Sequence, residues 1–301
     1  MTEKNNNMGL PSINVTFGLD KLVEAIANAT GLTALGIIKN ARGKAEAQSI
    51  LARKKAESDA EVEILRMQGE EKVAQYVLAR NNQKIENVGE IIAKAEQHFT
   101  PDEEVSSEPV DKDWMTRFLD IAETISDDEM RDLWARVLAG EVKKPKSYSL
   151  RTLEVLRNIS KEEAETIVKV STYLLGFDVL CIEDFALKLH EKILLDDIGI
   201  VCGEDLIRTY PIHLGKCSFA LNRQYQMNIY APENAIIQIN CIKLTRAGSE
   251  IIKLIQGINY NGFISALSSK LKQNGATKNT INQIVSWNGD GYQYLTQEIE
   301  V

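Results

Sequence analysis

The sequence predicts a mainly α protein with a smaller α+β part: a long N-terminal helix or coiled coil, a helical middle domain and a winged-helix-like β-hairpin module. Three observations carry that expectation. Residues 41–98 contain no proline and are rich in Ala, Glu, Lys, Arg and Gln, all good helix formers. Capping signals and apolar residues at helical spacing recur through 113–175. From 176 onward, β-rich runs separate the shorter helical patterns. With 301 residues, 44% of them hydrophobic and 26% charged, the chain has an ordinary globular balance, so disorder is not expected.

Residues 1–40 open with a polar stretch and continue as one or two short apolar helices over 19–38, interrupted by Gly31 and Gly36. A basic tract follows at once, with Lys39, Arg42, Lys44, Arg53, Lys54 and Lys55. An apolar helix beside a basic one is able to lie in a membrane interface, and Leu22, Val23, Ile26, Leu32, Leu35, Ile37 and Ile38 would then be the contacts. Packing against protein is the alternative favoured by Asn28, Thr30 and Thr33, which dilute the apolar character. No basic segment leads into an apolar run at the start of the chain, so no secretory leader is expected. No stretch of about 18 apolar residues predicts a membrane span.

Within 41–98, a 3-4 spacing runs through Ala60, Ile64, Met67, Glu71, Ala74, Leu78, Asn81, Ile85, Val88, Ile92 and Ala95. Only Glu71 and Asn81 break this seam, which argues for a coiled coil or a long helix against a partner. The expected oligomerisation residues are Ile64, Met67, Leu78, Ile85, Val88 and Ile92. A continuous 58-residue helix would be about 87 Å long, too long for one compact globule. Either assembly or a break near Gly69 is therefore expected. Residues 99–112 hold Pro101, Pro109, a run of acids and two serines, and read as a linker and domain boundary.

Residues 113–175 read as four helices. Trp114, Phe118 and Ile121 share a face of the first. Ser126 with Asp127, Asp128 and Glu129 supplies the cap and acidic first turn of the second, which Gly140 is expected to end. Ser149 would cap the third, and Ser160 with Glu163 forms a capping box for the fourth. In 176–256, a helix over 182–199 ends at Gly199. The runs 218–231 and 234–245, split at Pro232-Glu233, read as a hairpin, and Thr245 caps a last helix. In 257–301, a helix over 261–275 precedes two runs that pair across Asn288-Gly289-Asp290-Gly291.

The chemistry the sequence excludes is as informative. There is no GxxxxGK[ST] or GxGxxG phosphate loop, no HExxH and no GxSxG elbow. Cys181, Cys202, Cys217 and Cys241 form no CxxC pair and read as reduced, buried small apolar residues. Cys202 or Cys217 with His213 would be a nucleophile pair without a supporting motif, and His98 and His190 stand far from it in sequence. Asp127, Asp128, Glu129 and Asp132 form an acidic group that helix capping explains more simply than cation binding. Trp134 reads as a core aromatic flanked by Arg131 and Arg136. The net charge of −8 and the acidic balance of the helix over 182–199 disfavour nucleic acid. No catalytic residue, cofactor or metal is expected, and the chain reads as no enzyme.

The segment 127–167, DDEMRDLWARVLAGEVKKPKSYSLRTLEVLRNISKEEAETI, resembles a bacterial conserved family of unknown function, and a similar segment occurs in Abi-alpha proteins of abortive infection. LDDIGIV and IKLTRAGSEIIKLI are similar to the tail of the same families. The resemblance implies a component of anti-phage defence and transfers no catalytic residue; the chain is expected in the cytoplasm, at the inner face of the membrane if residues 19–38 contact lipid. Together these lines predict a non-enzymatic, self-assembling structural or sensing protein. Its partners would be itself and a phage or host protein. The alternatives are a peripheral membrane protein anchored by 19–55 and a nucleic-acid-binding regulator using 182–256.

Overall fold

The computed structural model describes Leu22, Ala25 and residues 42–100, 105–221, 224–287, 292–294 and 297–301. The chain divides into two compact units, Met1–Leu150 and Arg151–Val301. The division falls after the third predicted helix has begun, not at the expected linker 99–112. The reason lies in what the preceding helices bury against, as follows.

The first unit opens with α1 (Arg42–Met67) and α2 (Glu71–Glu96). The single long helix expected over 41–98 is therefore two helices of equal length. They break where Gly69 takes φ +77. Its N–H donates to the Arg66 carbonyl and that of Glu70 to the Leu65 carbonyl, the two bonds of a Schellman turn. Glycine alone enters that left-handed region without a Cβ penalty. The arms fold back antiparallel, and Asn81 Nδ2 donates to Glu61 across them at 3.1 Å. The inner stripe of α2, with Ala74, Val88, Ile91, Ile92 and Ala95, is buried within this unit. Two more helices, α3 (Lys112–Ala122) and α4 (Asp128–Lys143), complete it. Residues 99–112 thus join parts of one core and separate no domains.

The α3–α4 core follows from the spacing. Trp114 stacks on Phe118 at 5.2 Å and Phe118 meets Trp134 at 5.5 Å, all three essentially buried. The caps are Asp111 and Asp127, whose carboxylates accept from the N–H groups of Trp114 and Met130. Asp127 takes the role expected of Ser126.

The second unit begins with α5 (Leu150–Asn158) and α6 (Lys161–Ser171), the latter carrying the predicted Ser160–Glu163 capping box. An antiparallel sheet follows: β1 (Leu174–Leu175), β2 (Val179–Cys181), β3 (Val201–Pro211), β4 (Lys216–Leu221), β5 (Tyr225–Tyr230), β6 (Ile236–Leu244), β7 (Lys278–Trp287), β8 (Tyr292–Tyr294) and β9 (Ile299–Glu300). The strands run in the order β3-β6-β2-β1-β4-β5-β7-β8, with β9 also on β7. Three helices accompany them, α7 (Leu189–Asp197), α8 (Arg246–Ile252) and α9 (Asn261–Gln273). One face of the sheet packs on Phe263, Ile264, Leu267 and Leu271 of α9. Along β6, exposed and buried residues alternate from Ile236 to Cys241, as a half-buried strand requires.

Two expectations are corrected here. The runs 218–231 and 234–245 do not pair with each other. The first is itself a hairpin, β4–β5, while β6 pairs with β2 and β3. The helix expected over 182–199 is confined to α7, because the buried Glu183 carboxylate accepts the Asn240 N–H at 2.9 Å and pairs with Lys270, which holds 182–188 to the sheet as a turn. The pairing of 281–287 with 292–294 is present, Trp287 opposite Tyr292.

Candidate functional site

The segment that carries the family resemblance lies mostly in the first unit, where its residues have structural duties. Trp134 is fully buried. Gly140 does not end α4. It sits inside the helix, and a Cβ there would come within 2.8 Å of the Tyr148 ring. The Glu141 carboxylate is buried and accepts the N–H groups of Lys146 at 2.6 Å and Tyr148 at 2.9 Å. Tyr148 in turn offers its carbonyl to the indole N–H of Trp114 at 2.7 Å. One carboxylate thereby fixes the 144–149 turn, and the turn fixes the aromatic core.

Three of the four residues of the acidic group have structural partners. Asp127 is a cap, Asp128 pairs with Lys94 at 3.0 Å, and Asp132 pairs with Arg136 and lies 3.7 Å from His98. Burial holds the His98 imidazole below its ordinary value despite Asp132. Among the described residues, no group of three His, Cys, Asp or Glu is placed to hold a metal. Burial pushes the Cys181 and Cys241 thiols up to about 12 and Cys217 to about 11, the reverse of what an activated nucleophile needs. Cys202 departs from the expected burial. It is exposed on β3, the outer strand beyond β6.

In the second unit, the two tail motifs meet. LDDIGIV ends α7 in a Schellman turn, with Gly199 N–H to Asp196 and Ile200 N–H to Leu195. Thr245 caps α8 and donates its hydroxyl to the Gly199 carbonyl at 2.6 Å, while Gly248 packs its Cα over Ile200. Glu250 is buried and receives Thr152 and Arg246. A cleft of about 420 Å³ lies nearby, lined by Arg151, Glu154, Asn158, Glu163 and Asp197 among others. Its charges are mixed, and Glu163 is already spent on the capping box.

Among the described residues of the first unit, the large exposed apolar side chains lie on the hairpin α1–α2. Of the predicted oligomerisation residues, Val88 and Ile92 are buried within the unit and Leu78 and Ile85 half-buried, so the α2 part of the seam is satisfied intramolecularly. The α1 part is not: Ile64 and Met67 are 57% and 79% exposed. Val73 and Tyr76, across the Gly69 bend, are 45% and 67% exposed. These last two are residues the heptad did not pick out, because they lie off its spacing. All four of these large apolar side chains stand within about two turns of the Gly69 bend. Towards its base, the hairpin is held by polar contacts. Glu123 receives Lys54 and Lys84, and Asn87 donates to the Glu123 carbonyl at 2.8 Å.

Burial pushes the Glu123 carboxyl up, but hydrogen bonds and charge from Lys54 and Lys84 outweigh it and hold it below its ordinary 4.5. A lowered value means a contribution fully present above 4.5 and lost as the pH falls through that lowered value. Hydrogen exchange of the α1 amides during acid titration should show the arm loosening only below about pH 4.5. Glu123→Gln should abolish that acid step.

Of the residues expected to touch a membrane, Leu22 is helical and fully buried. Val23, Ile26, Leu32, Leu35, Ile37 and Ile38 lie outside the described residues. Among the described residues, no helix is long and apolar enough to cross a membrane.

Residues 71–177 match the model of a family described as a protein of unknown function (DUF2806), a little over a third of the chain. No curated protein and no solved structure matches the sequence. The matched span begins at the first residue of α2 and runs through the Glu141 staple to β1.

Proposed function

We propose that this chain is a non-enzymatic, self-assembling protein that uses the tip of its helical hairpin as the assembly contact. The observation that carries this is the exposure of Ile64, Met67, Val73 and Tyr76 on either side of the Gly69 bend. Burying such groups between copies removes apolar area from water at roughly 25 cal/mol per Å². Hairpins packed tip against tip would replace the coiled coil, or long helix against a partner, that the seam suggests. Asp127, Asp128 and Asp132 serve a cap and ion pairs, and Trp134, Gly140 and Glu141 serve the core and its turn, which fits a scaffold or sensor better than a catalyst. A place in anti-phage defence of the abortive-infection type follows from the resemblance of 127–167 alone.

The absolute mass of the full-length protein in solution tests the proposal. Wild type is expected as a discrete assembly at micromolar concentration. Met67→Glu with Tyr76→Glu should weaken it at least tenfold, since buried anchors at interfaces each contribute about 2 kcal/mol. The melting temperature of the variant should match that of wild type diluted to its monomer, because exposed substitutions themselves cost within about 0.5 kcal/mol and only the stabilisation by assembly is lost. A monomeric wild type, or an assembly indifferent to both substitutions, would rule the contact out.

A further inference from the structure

The sheet of the second unit has a second, polar face. The register of β4, β5 and β7 sets Lys216, Tyr230 and Lys278 in one row and Ser218, Asn228 and Thr280 in the next. Side chains alternate along a strand, so these six share a face, while Cys217, Phe219, Met227, Ile229 and Ile281 point to the apolar core. The polar row is built and satisfied. Asn228, fully buried, accepts from Ser218 and Gln226 at 2.8 Å each. It donates to Thr280 at 3.1 Å and to Asn282 at 2.8 Å. Burying such a ladder costs desolvation that an apolar floor would avoid, and only complete pairing offsets it.

At the margin of this floor lies a carboxylate. Glu298 receives Lys216 Nζ at 2.7 Å, the Tyr230 hydroxyl at 2.6 Å and the Thr280 hydroxyl at 2.9 Å. The ammonium groups of Lys216 and Lys278 lie 5.1 and 5.9 Å from the Tyr230 ring centre, so two cations flank the site. The hydrogen bonds from Lys216 and then Tyr230 hold the Glu298 carboxyl down to about 2. The backbone beyond it is held as an added strand. Ile299 lies opposite Ile281 and Glu300 opposite Thr280. The Val301 oxygen accepts from Ser268 at 2.7 Å and Lys272 at 3.1 Å. A strand of two residues makes few ladder bonds, so the segment depends on its two end anchors.

We propose that this polar face of β4, β5 and β7 is a recognition site for the carboxylate of an extended acidic strand, filled by residues 297–301 in cis and open to the same segment of a second copy. Every copy carries both the site and the segment that fits it, so exchange requires no new contact and preserves the register. This goes beyond the hairpin contact and does not rest on it.

A labelled peptide of residues 297–301, added to full-length protein and followed by fluorescence anisotropy, tests the proposal. Glu298→Lys should expel the segment in cis, because its charge would face Lys216. The peptide should then bind that variant at least tenfold more tightly than wild type, where the resident segment competes at a millimolar effective concentration. Adding Lys216→Glu to Glu298→Lys should abolish binding, as should a peptide carrying Gln at the position of Glu298. Glu298→Gln, which keeps the shape, predicts the same order if the charge reversal harms folding. No binding to either Glu298 variant overturns the site, and so does binding to the double variant as tight as to Glu298→Lys. The peptide contains no hairpin, so its failure leaves the tip contact standing, and failure at the tip leaves this site standing.

Discussion

Gly248→Ala is expected to unfold the second unit at temperatures where wild type is stable, at a cost of about 4 kcal/mol or more. A Cβ at that position would lie 2.0 Å from the Ile200 carbonyl oxygen and 2.9 Å from its carbon. Helix propensity alone points the other way, because alanine in a helix interior gains about 1 kcal/mol over glycine. The steric term decides the sign. The atom that would have to move is backbone, and its neighbours are already committed: Ile200 N–H bonds to Leu195, and its carbonyl receives the Thr245 N–H at 2.9 Å. Shifting it opens the Schellman turn of α7 and lifts α8 from it. Thermal unfolding by circular dichroism measures the loss. A Gly248→Ala protein as stable as wild type would mean that α8 does not dock as closely as the geometry shows.

Glu141→Ala should be nearly as costly, about 2–5 kcal/mol, through a different mechanism. Two backbone N–H groups, those of Lys146 and Tyr148, would lose their acceptor. A buried donor left unpaired costs about 1–3 kcal/mol. The damage would spread, because the Tyr148 carbonyl orients Trp114, which stacks on Phe118 against Trp134. Near-ultraviolet circular dichroism, which reports the packing of these indoles, should therefore change together with the melting temperature. Glu141→Gln retains one acceptor oxygen but turns an amide NH₂ toward the other N–H, so it should fall between. A Gln variant as poor as Ala would show that the charge, rather than the number of acceptors, holds the turn.

Glu141, in the LAGE run, closes a turn, and Gly248, in the LTRAGSE run, permits contact of a helix with a backbone carbonyl. Both demands are geometric: an acceptor for two backbone N–H groups at the first position and the absence of a Cβ at the second.

What the sequence determined by itself was local. The Ser160–Glu163 box, the Thr245 cap, the Schellman glycine at 199, the Trp114–Phe118 face and the break near Gly69 each depend on atoms within a few residues, so the pattern of side chains states them directly. The tertiary structure decided what each stripe is buried against. The seam from Ala60 to Ala95 reads as one continuous face, yet Val88 and Ile92 are covered by their own unit while Ile64 and Met67 remain bare. Period alone names a face and not its partner. The same holds for the strands. Alternation marked 218–231 and 234–245 as β, but which edge each strand joins depends on pairing across long stretches of chain, and β2 and β1, three and two residues long, separate what adjacency in sequence suggested were neighbours. The strand Val201–Pro211 escaped notice because CGEDLIRT is polar and poor in β-branched residues, and its strand character comes from pairing with β6. The Glu298 anchor was equally invisible, since its three donors lie 18 to 82 residues away and only the sheet brings them together.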